Sequence, residues 1–173
     1  MSAAAGTLRL TLVRHAKSSW RFTTLDDFHR PLNARGLADA ARMPARLTAR
    51  MPAPQLMLCS DAVRAVQTGE ALAAAFDLPG ACVQLHHALY MASAAGILEC
   101  LAGAAGAARH VMLVGHNPGL TDLYNHLIAM PVDNLPTLAV APLVLEAPAW
   151  SAVAPGCGRI ERLLRPKEMF KDG

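Results

Sequence analysis

The sequence predicts an α/β fold in which helices cover both faces of a largely parallel sheet. The apolar residues switch repeatedly between the two-residue period of strands and the longer period of helices. Short apolar strands alternate with helical segments over the first 130 residues, which is the order that builds parallel sheets. Polar clusters follow three of these strands. Because ligands of such folds bind beyond the carboxyl ends of the strands, the clusters are expected to meet in one crevice.

The amino-terminal elements follow from this periodicity. Residues 7–14 alternate as a strand that turns polar at His15. A helix is expected over residues 34–51, with a kink or break at Pro44, because proline removes a backbone donor. A short apolar strand at residues 55–59 then precedes a helix at residues 62–76. Asp61 is the expected N-terminal cap of that helix.

The carboxyl-terminal half continues the alternation and then changes. Two more strands and two more helices are predicted, in the order 82–85, 93–102, 110–114 and 120–129. The last two predicted strands, residues 139–145 and 159–164, are expected to pair as a hairpin across the turn near Pro155 and Gly156. The prediction is a three-layer α/β/α sandwich with a mostly parallel central sheet.

Composition excludes several classes of protein. With 173 residues, 53% of them hydrophobic and 17% charged, the chain is expected to form a single domain over residues 1–173. Its net charge of +3 comes from scattered basic residues, so no nucleic-acid partner is predicted. No apolar run is long enough to span a membrane. The four cysteines have no CxxC or zinc-ligand spacing and no signal peptide is evident, so a cytoplasmic location is expected.

The first polar cluster places Arg14 and His15 directly after a strand. An arginine beside a histidine suits phosphate chemistry, because the guanidinium forms a planar fork that matches phosphate oxygens. A neutral imidazole is in turn a nucleophile near pH 7, and neighbouring cations lower its pKa and keep it neutral. In the second cluster Arg64 lies near a helix start, where an anion is favoured. In the third, GHNPG, His116 lies at a turn with Pro118 near the helix start.

Three segments together resemble the signature of the histidine phosphatase superfamily, which has the phosphoglycerate mutase-like fold. They are LVRHAKS at residues 12–18, CSDAVRAVQT at 59–68 and VGHNPG at 114–119. DDFHRPLNARG at 26–36 and LYMAS at 89–93 resemble its small phosphohistidine phosphatase branch, named for SixA. The resemblance implies that His15 takes the phosphoryl group covalently, while Arg14, Arg64 and His116 bind its oxygens. It implies no cofactor and no metal.

Further candidate substrate-binding residues surround these four. They are Lys17, Arg21, Asp26, Asp27, Arg30 and Tyr90. Many superfamily members carry a glutamate near Leu89 that acts as a general acid, but this chain has Tyr90 there. Asp26 or Asp27 is a candidate replacement acid, although paired loop aspartates also commonly cap turns or pair with an arginine such as Arg30.

The missing glutamate bears on the substrate. Imidazole is a better leaving group than a serine alkoxide, so phosphohistidine needs less help from an acid. A short chain without a large inserted cap also favours a phosphorylated protein of the phosphotransfer or signalling type as substrate. Two alternatives stay open: a phosphatase of small phosphorylated molecules in the same superfamily, and a catalytically weak phosphohistidine-binding module.

Overall fold

The structure, a computed structural model, describes residues 6–171. Residues 1–5 and 172–173 of the predicted domain lie outside the described residues. The amino-terminal stretch in which no signal peptide was evident therefore lies partly outside them as well. Six strands within the described part form one sheet, in the order β3-β2-β4-β1-β5-β6. The strands are β1 (Thr7–Arg14), β2 (Leu56–Ser60), β3 (Val83–His86), β4 (His110–Gly115), β5 (Val140–Glu146) and β6 (Gly158–Ile160). The helices are α1 (Ala34–Thr48), α2 (Val63–Ala75), α3 (Ala94–Ala104), α4 (Gly119–Leu127) and α5 (Pro166–Met169).

The sheet is parallel from β1 to β4 and antiparallel at β5 and β6, so the predicted α/β fold with a mostly parallel sheet is confirmed. The predicted hairpin is present as the β5–β6 pair, although β6 is shorter than expected. In the described residues no helix is long and apolar enough to cross a membrane.

Strand alternation divides the core into two clusters, one on each face of the sheet. On β1, Leu10 and Leu12 face the cluster under α3 and α4, whereas Val13 faces the cluster under α1 and α2. The central strand β4 divides in the same way, with Leu113 on the first face and Met112 on the second. Because successive side chains of a strand point to opposite faces, fully apolar central strands require helices on both sides.

The predicted break at Pro44 and the predicted cap at Asp61 were wrong. Pro44 does not divide α1, which runs through it from Ala34 to Thr48. The proline is buried on the face that packs on the sheet, where that packing outweighs the lost backbone hydrogen bond. Asp61 does not cap α2 either, because Ala62 holds the cap position without a side-chain bond. The Asp61 carboxylate instead contacts the His87 Nδ1 at 3.0 Å.

Candidate active site

The central strands bring the three polar clusters together. β1 and β4 are parallel neighbours with Arg14 opposite Gly115, so His15 and His116 leave the sheet side by side. β2 lies next to β4 and ends at Ser60, from which the chain enters α2 and reaches Arg64 in its first turn. His15, Arg64 and His116 line an open cavity of about 350 Å³. Its lining comprises Arg14, His15, Lys17, Ser18, Trp20, Asp27, Arg30, Arg64, Met91, His116, Asn117 and Thr137.

His15 is held with one ring nitrogen available for chemistry. The imidazole is 7% exposed, and its Nδ1 lies 2.7 Å from the carbonyl oxygen of Ala16. A carbonyl can only accept, so Nδ1 carries the proton and Nε2 keeps a lone pair. Nε2 accepts a hydrogen bond from the Nε of Arg64 at 3.2 Å. Burial, together with the charges of Arg64, Arg14 and Arg30, lowers the pKa of His15 to about 4.

Arg64 is almost fully buried, at 2% exposed, and its orientation is set by Asp27. One terminal nitrogen donates to the Asp27 backbone carbonyl at 2.6 Å and the other to the Asp27 carboxylate at 2.9 Å. The third nitrogen, Nε, is the one directed at His15. The planar guanidinium therefore links the loop that carries Asp27 to the nucleophile candidate.

The Asp27 carboxylate accepts hydrogen bonds from three side chains. Arg30 donates to one oxygen through two nitrogens, at 3.1 and 2.7 Å. Arg64 and the Tyr90 hydroxyl share the other oxygen, at 2.9 and 2.7 Å. Partial burial acts to raise the pKa of Asp27, but the hydrogen bonds from Tyr90, Arg30 and Arg64 outweigh it and hold that pKa well below its usual range. Asp27 is therefore ionised at neutral pH and holds no proton to donate.

His116 is buried beside His15, with 5.2 Å between the ring centroids. Its Nε2 lies 2.7 Å from the Ser60 hydroxyl, which itself accepts the backbone N–H of Ala62 at 3.3 Å. A hydroxyl group can donate one hydrogen bond and accept two; where the Ser60 proton points at Nε2, the imidazole proton lies on Nδ1. Burial, followed by the nearby His15 and Arg64, lowers the pKa of His116 to about 3. The ring is neutral and offers one N–H donor.

Two buried side-chain nitrogens at this site lack a hydrogen-bond partner. Within residues 6–171 the buried side-chain nitrogens and oxygens without a hydrogen bond are Arg14 Nε and His116 Nδ1. Both belong to residues that line the cavity. Arg14 is otherwise fixed by its bond to the Leu135 carbonyl at 2.8 Å. An unpaired buried donor costs about 1–3 kcal/mol, a penalty that a bound anion would relieve.

The remaining sequence candidates divide between the cavity and its surroundings. Lys17 and Arg30 line the cavity, whereas Arg21 lines the groove next to it. Asp26 turns outward and contacts His29 at 2.6 Å, so the structure does not bring it to the cavity. Tyr90 supports the site from behind, because it donates to Asp27 and packs edge-on against the His116 ring.

Several residues of this site were not predicted from the sequence. Ser60 and Asn117 lie inside the recognised segments, next to Asp61 and His116, so the motifs could have indicated both. Trp20 follows the first motif and lines the cavity mouth. Thr137 and the Leu135 carbonyl come from a loop that no motif marks. They reach the site because β5 pairs with β1 and the chain before β5 passes the end of the sheet.

The described residues contain no group of three or more histidine, cysteine, aspartate or glutamate side chains that could hold a metal ion. The positive charge at the cavity comes from Arg14, Arg64, Arg30 and Lys17. Cys59 lies buried behind the site on β2, where burial, with Asp61 and Glu70 nearby, raises the pKa of its thiol to about 12. It is therefore an inert thiol.

Several known proteins are similar to this chain in sequence or in structure. A protein of Mycobacterium tuberculosis is 30% identical over 159 residues, covering 86% of this chain and 96% of its own. A chloroplastic protein of Arabidopsis thaliana is 45% identical over 69 residues, and the matched part spans about a third of its length, 32%. The Agrobacterium tumefaciens protein assigned to the phosphohistidine phosphatase SixA is 31% identical with a TM-score of 0.73, over 92% of this chain and 98% of its own.

Two further structures bear on the family. The Nakamurella multipartitia protein assigned to SixA is 25% identical with a TM-score of 0.76, covering 94% and 98% of the two chains. A mycobacterial glucosyl-3-phosphoglycerate phosphatase, 18% identical with a TM-score of 0.61 over 90% and 97%, shares the fold. The model of the histidine phosphatase superfamily, branch 1, matches residues 10–89. Together these findings support a phosphatase function, and the chain belongs to the SixA-type branch of the histidine phosphatase superfamily.

Proposed function

We propose that this chain is a protein phosphohistidine phosphatase and that His15 is its nucleophile. The observation that carries this proposal is the state of His15, a buried neutral imidazole whose unprotonated Nε2 accepts from Arg64 Nε in a cavity that Arg14 and His116 also line. Phosphoryl transfer needs little else from a protein, because its catalysis consists mainly of positioning and electrostatic stabilisation. The arginines supply positive charge, so the proposed reaction is independent of metal ions.

In the proposed first step the Nε2 of His15 attacks phosphorus and the bond to the leaving group breaks. The phosphoryl oxygens replace the lone pair of His15 as acceptor for Arg64 Nε and take up the unpaired donors of Arg14 and His116. In the second step water attacks phosphorus and the P–N bond breaks. His15 leaves as a neutral imidazole, since Nδ1 has kept the proton that it donates to Ala16, and the water proton passes to phosphate or solvent.

The carboxylate at the site favours a phosphohistidine substrate over a phosphoserine one. A phosphoserine needs an acid to protonate its alkoxide, and the carboxylate lining the cavity, Asp27, is held ionised by Arg30, Arg64 and Tyr90. The leaving imidazole of phosphohistidine departs neutral when its other nitrogen already carries a proton. The relatives assigned to SixA support the same substrate class.

The test compares a histidine-phosphorylated protein with a phosphoserine peptide, in the presence of a metal chelator. The native chain should prefer phosphohistidine strongly, and His15→Ala should abolish turnover. His110→Gln is a matched control, because His110 is also buried with a lowered pKa but lies outside the cavity. In a rapid quench, the native protein should carry phosphate that survives alkali and is lost in acid.

Three outcomes would contradict the proposal in different ways. Full activity of His15→Ala would remove the nucleophile assignment. Equal rates on phosphoserine and phosphohistidine, or fast turnover of a small phosphorylated metabolite, would favour the small-molecule phosphatase instead. Phosphohistidine binding without turnover would identify the chain as a binding module.

A further inference from the structure

A second groove, of about 580 Å³, adjoins the active-site cavity. It lies between the loop that follows β1 and the first turn of α1, and it shares Lys17, Ser18 and Trp20 with the cavity. The groove is therefore within reach of a chain that presents a phosphorylated side chain to His15. The mechanism proposed above makes no use of it.

Two aromatic side chains of the groove are exposed. Trp20 is 78% exposed and Phe22 is 49% exposed. Trp20 is nevertheless held in place, because the Arg30 guanidinium lies 3.6 Å from the centre of its ring. Arg30 is in turn fixed by Asp27, so the indole is oriented by the active site itself. Exposed aromatic residues on a rigid support are typical anchors of protein interfaces.

The charges of the groove have one sign. Lys17, Arg21 and Arg35 line it, and no carboxylate of residues 6–171 is part of the lining. The acidic groups around it have partners of their own: Asp39 lies 3.6 Å from Arg35 one turn along α1, Asp26 contacts His29, and Asp27 binds Arg30 and Arg64. Such a surface attracts an acidic partner and disfavours a basic one.

We propose that this groove binds the segment flanking the phosphohistidine of a protein substrate, and that it selects segments carrying acidic and apolar side chains. This inference rests on the proposed phosphatase function and adds to it a choice among substrates. The phosphoryl group is bound in the cavity, while Trp20 and Phe22 receive an apolar side chain of the same segment. Arg21 and Arg35 pair with its carboxylates.

The test uses two synthetic phosphohistidine peptides and one small substrate. The acidic peptide carries glutamates and a leucine on both sides of the phosphohistidine, and its match has glutamine in place of glutamate. The small substrate, p-nitrophenyl phosphate, does not reach the groove. The native chain should hydrolyse the acidic peptide with a kcat/KM about tenfold higher than its match, and added salt should reduce that preference.

Two variants change the groove without touching the cavity. Phe22→Ala and Arg35→Glu should each lower kcat/KM for the acidic peptide about tenfold, through KM, and leave the rate on p-nitrophenyl phosphate unchanged. Leu85→Ala, which removes an exposed apolar side chain on β3, and Arg159→Glu, which makes the same charge change on β6, are the matched controls. Neither control should change kcat/KM for the acidic peptide or the rate on p-nitrophenyl phosphate.

A binding measurement separates this inference from the proposed function. The chain has two tryptophans, and Trp150 is buried, so fluorescence quenching by the unphosphorylated acidic peptide reports on Trp20. Quenching that Phe22→Ala weakens supports the groove even if no phosphohistidine is hydrolysed, in which case the proposed function fails alone. Equal kcat/KM for the two peptides, or groove variants that behave like the native chain, would overturn the inference.

Discussion

Replacing Asp27 with asparagine tests how this site is held together. The carboxylate accepts four hydrogen bonds, from Arg30, Arg64 and Tyr90. The side chains of Arg30 and Arg64 are only 8% and 2% exposed. An asparagine keeps one acceptor oxygen and presents an amide N–H₂ to the other donors. Both buried arginines then lose their charged partner, and at least one donor also loses its acceptor oxygen.

The loss of stability follows from these contacts. A hydrogen bond to a charged group contributes about 1.5–3 kcal/mol. The Asp27 side chain is 43% exposed, so water compensates part of that loss. We expect Asp27→Asn to reduce the free energy of unfolding by about 2 kcal/mol at pH 7. Because the folded-state pKa of Asp27 is depressed, its contribution is present above the unfolded-state pKa and is lost as pH falls through the folded-state value.

The loss of activity distinguishes two roles of Asp27. Removing one donor to a transition-state oxyanion costs about 100- to 1,000-fold in rate. Arg64 keeps its bond to the Asp27 backbone carbonyl, so its misplacement is partial and we expect a loss of about 10- to 30-fold. A positioning residue gives the same loss with p-nitrophenyl phosphate and with phenyl phosphate. A general acid gives a larger loss with phenyl phosphate, whose leaving group is poorer.

The assay measures kcat/KM for both aryl phosphates and unfolding by urea. Asp26→Asn is the matched control, because its carboxylate is exposed and outside the cavity, and it should behave like the native chain. Tyr90→Phe, which removes one of the four bonds, should show a smaller effect than Asp27→Asn. A loss confined to phenyl phosphate, or an Asp27→Asn chain as stable as the native one, would refute the positioning role.

The remaining predictions concern pH, packing and metal ions. Burial lowers the pKa of His15 and His110 to about 4 and that of His116 to about 3, so the unfolded chain binds more protons below about pH 6.5. Stability should therefore decrease as the pH is lowered, by about 5 kcal/mol between pH 6.5 and 5 in denaturant titrations, and a flat profile would contradict the buried neutral histidines. Gly119→Ala should lose about 2–3 kcal/mol, because its new Cβ would overlap a backbone carbonyl, whereas Gly103→Ala, in open space on α3, should be neutral or stabilising. Dialysis against a chelator should leave the aryl phosphatase rate unchanged, and restoration of a lost rate by a divalent cation would show that the site needs a metal.

Several features of this protein could be predicted from its sequence. The two apolar periods predicted the α/β fold, because they report directly which faces of each element are buried. The three motifs predicted that Arg14, His15, Arg64 and His116 meet, since the carboxyl ends of neighbouring parallel strands share one edge of the sheet. These inferences depend only on spacing along single elements and on the rules by which such elements pair.

The tertiary structure alone decided how the loops contribute. Asp26 and Asp27 are adjacent and chemically identical, yet only Asp27 lines the cavity, because Arg30 and Arg64 bind its carboxylate. Loop side chains have no periodicity that assigns them a direction, so their orientation depends on partners distant in sequence. The same reason places Asp61 on His87 rather than on its helix. What a loop residue does is set by the charges that folding brings near it, and those charges come from other elements.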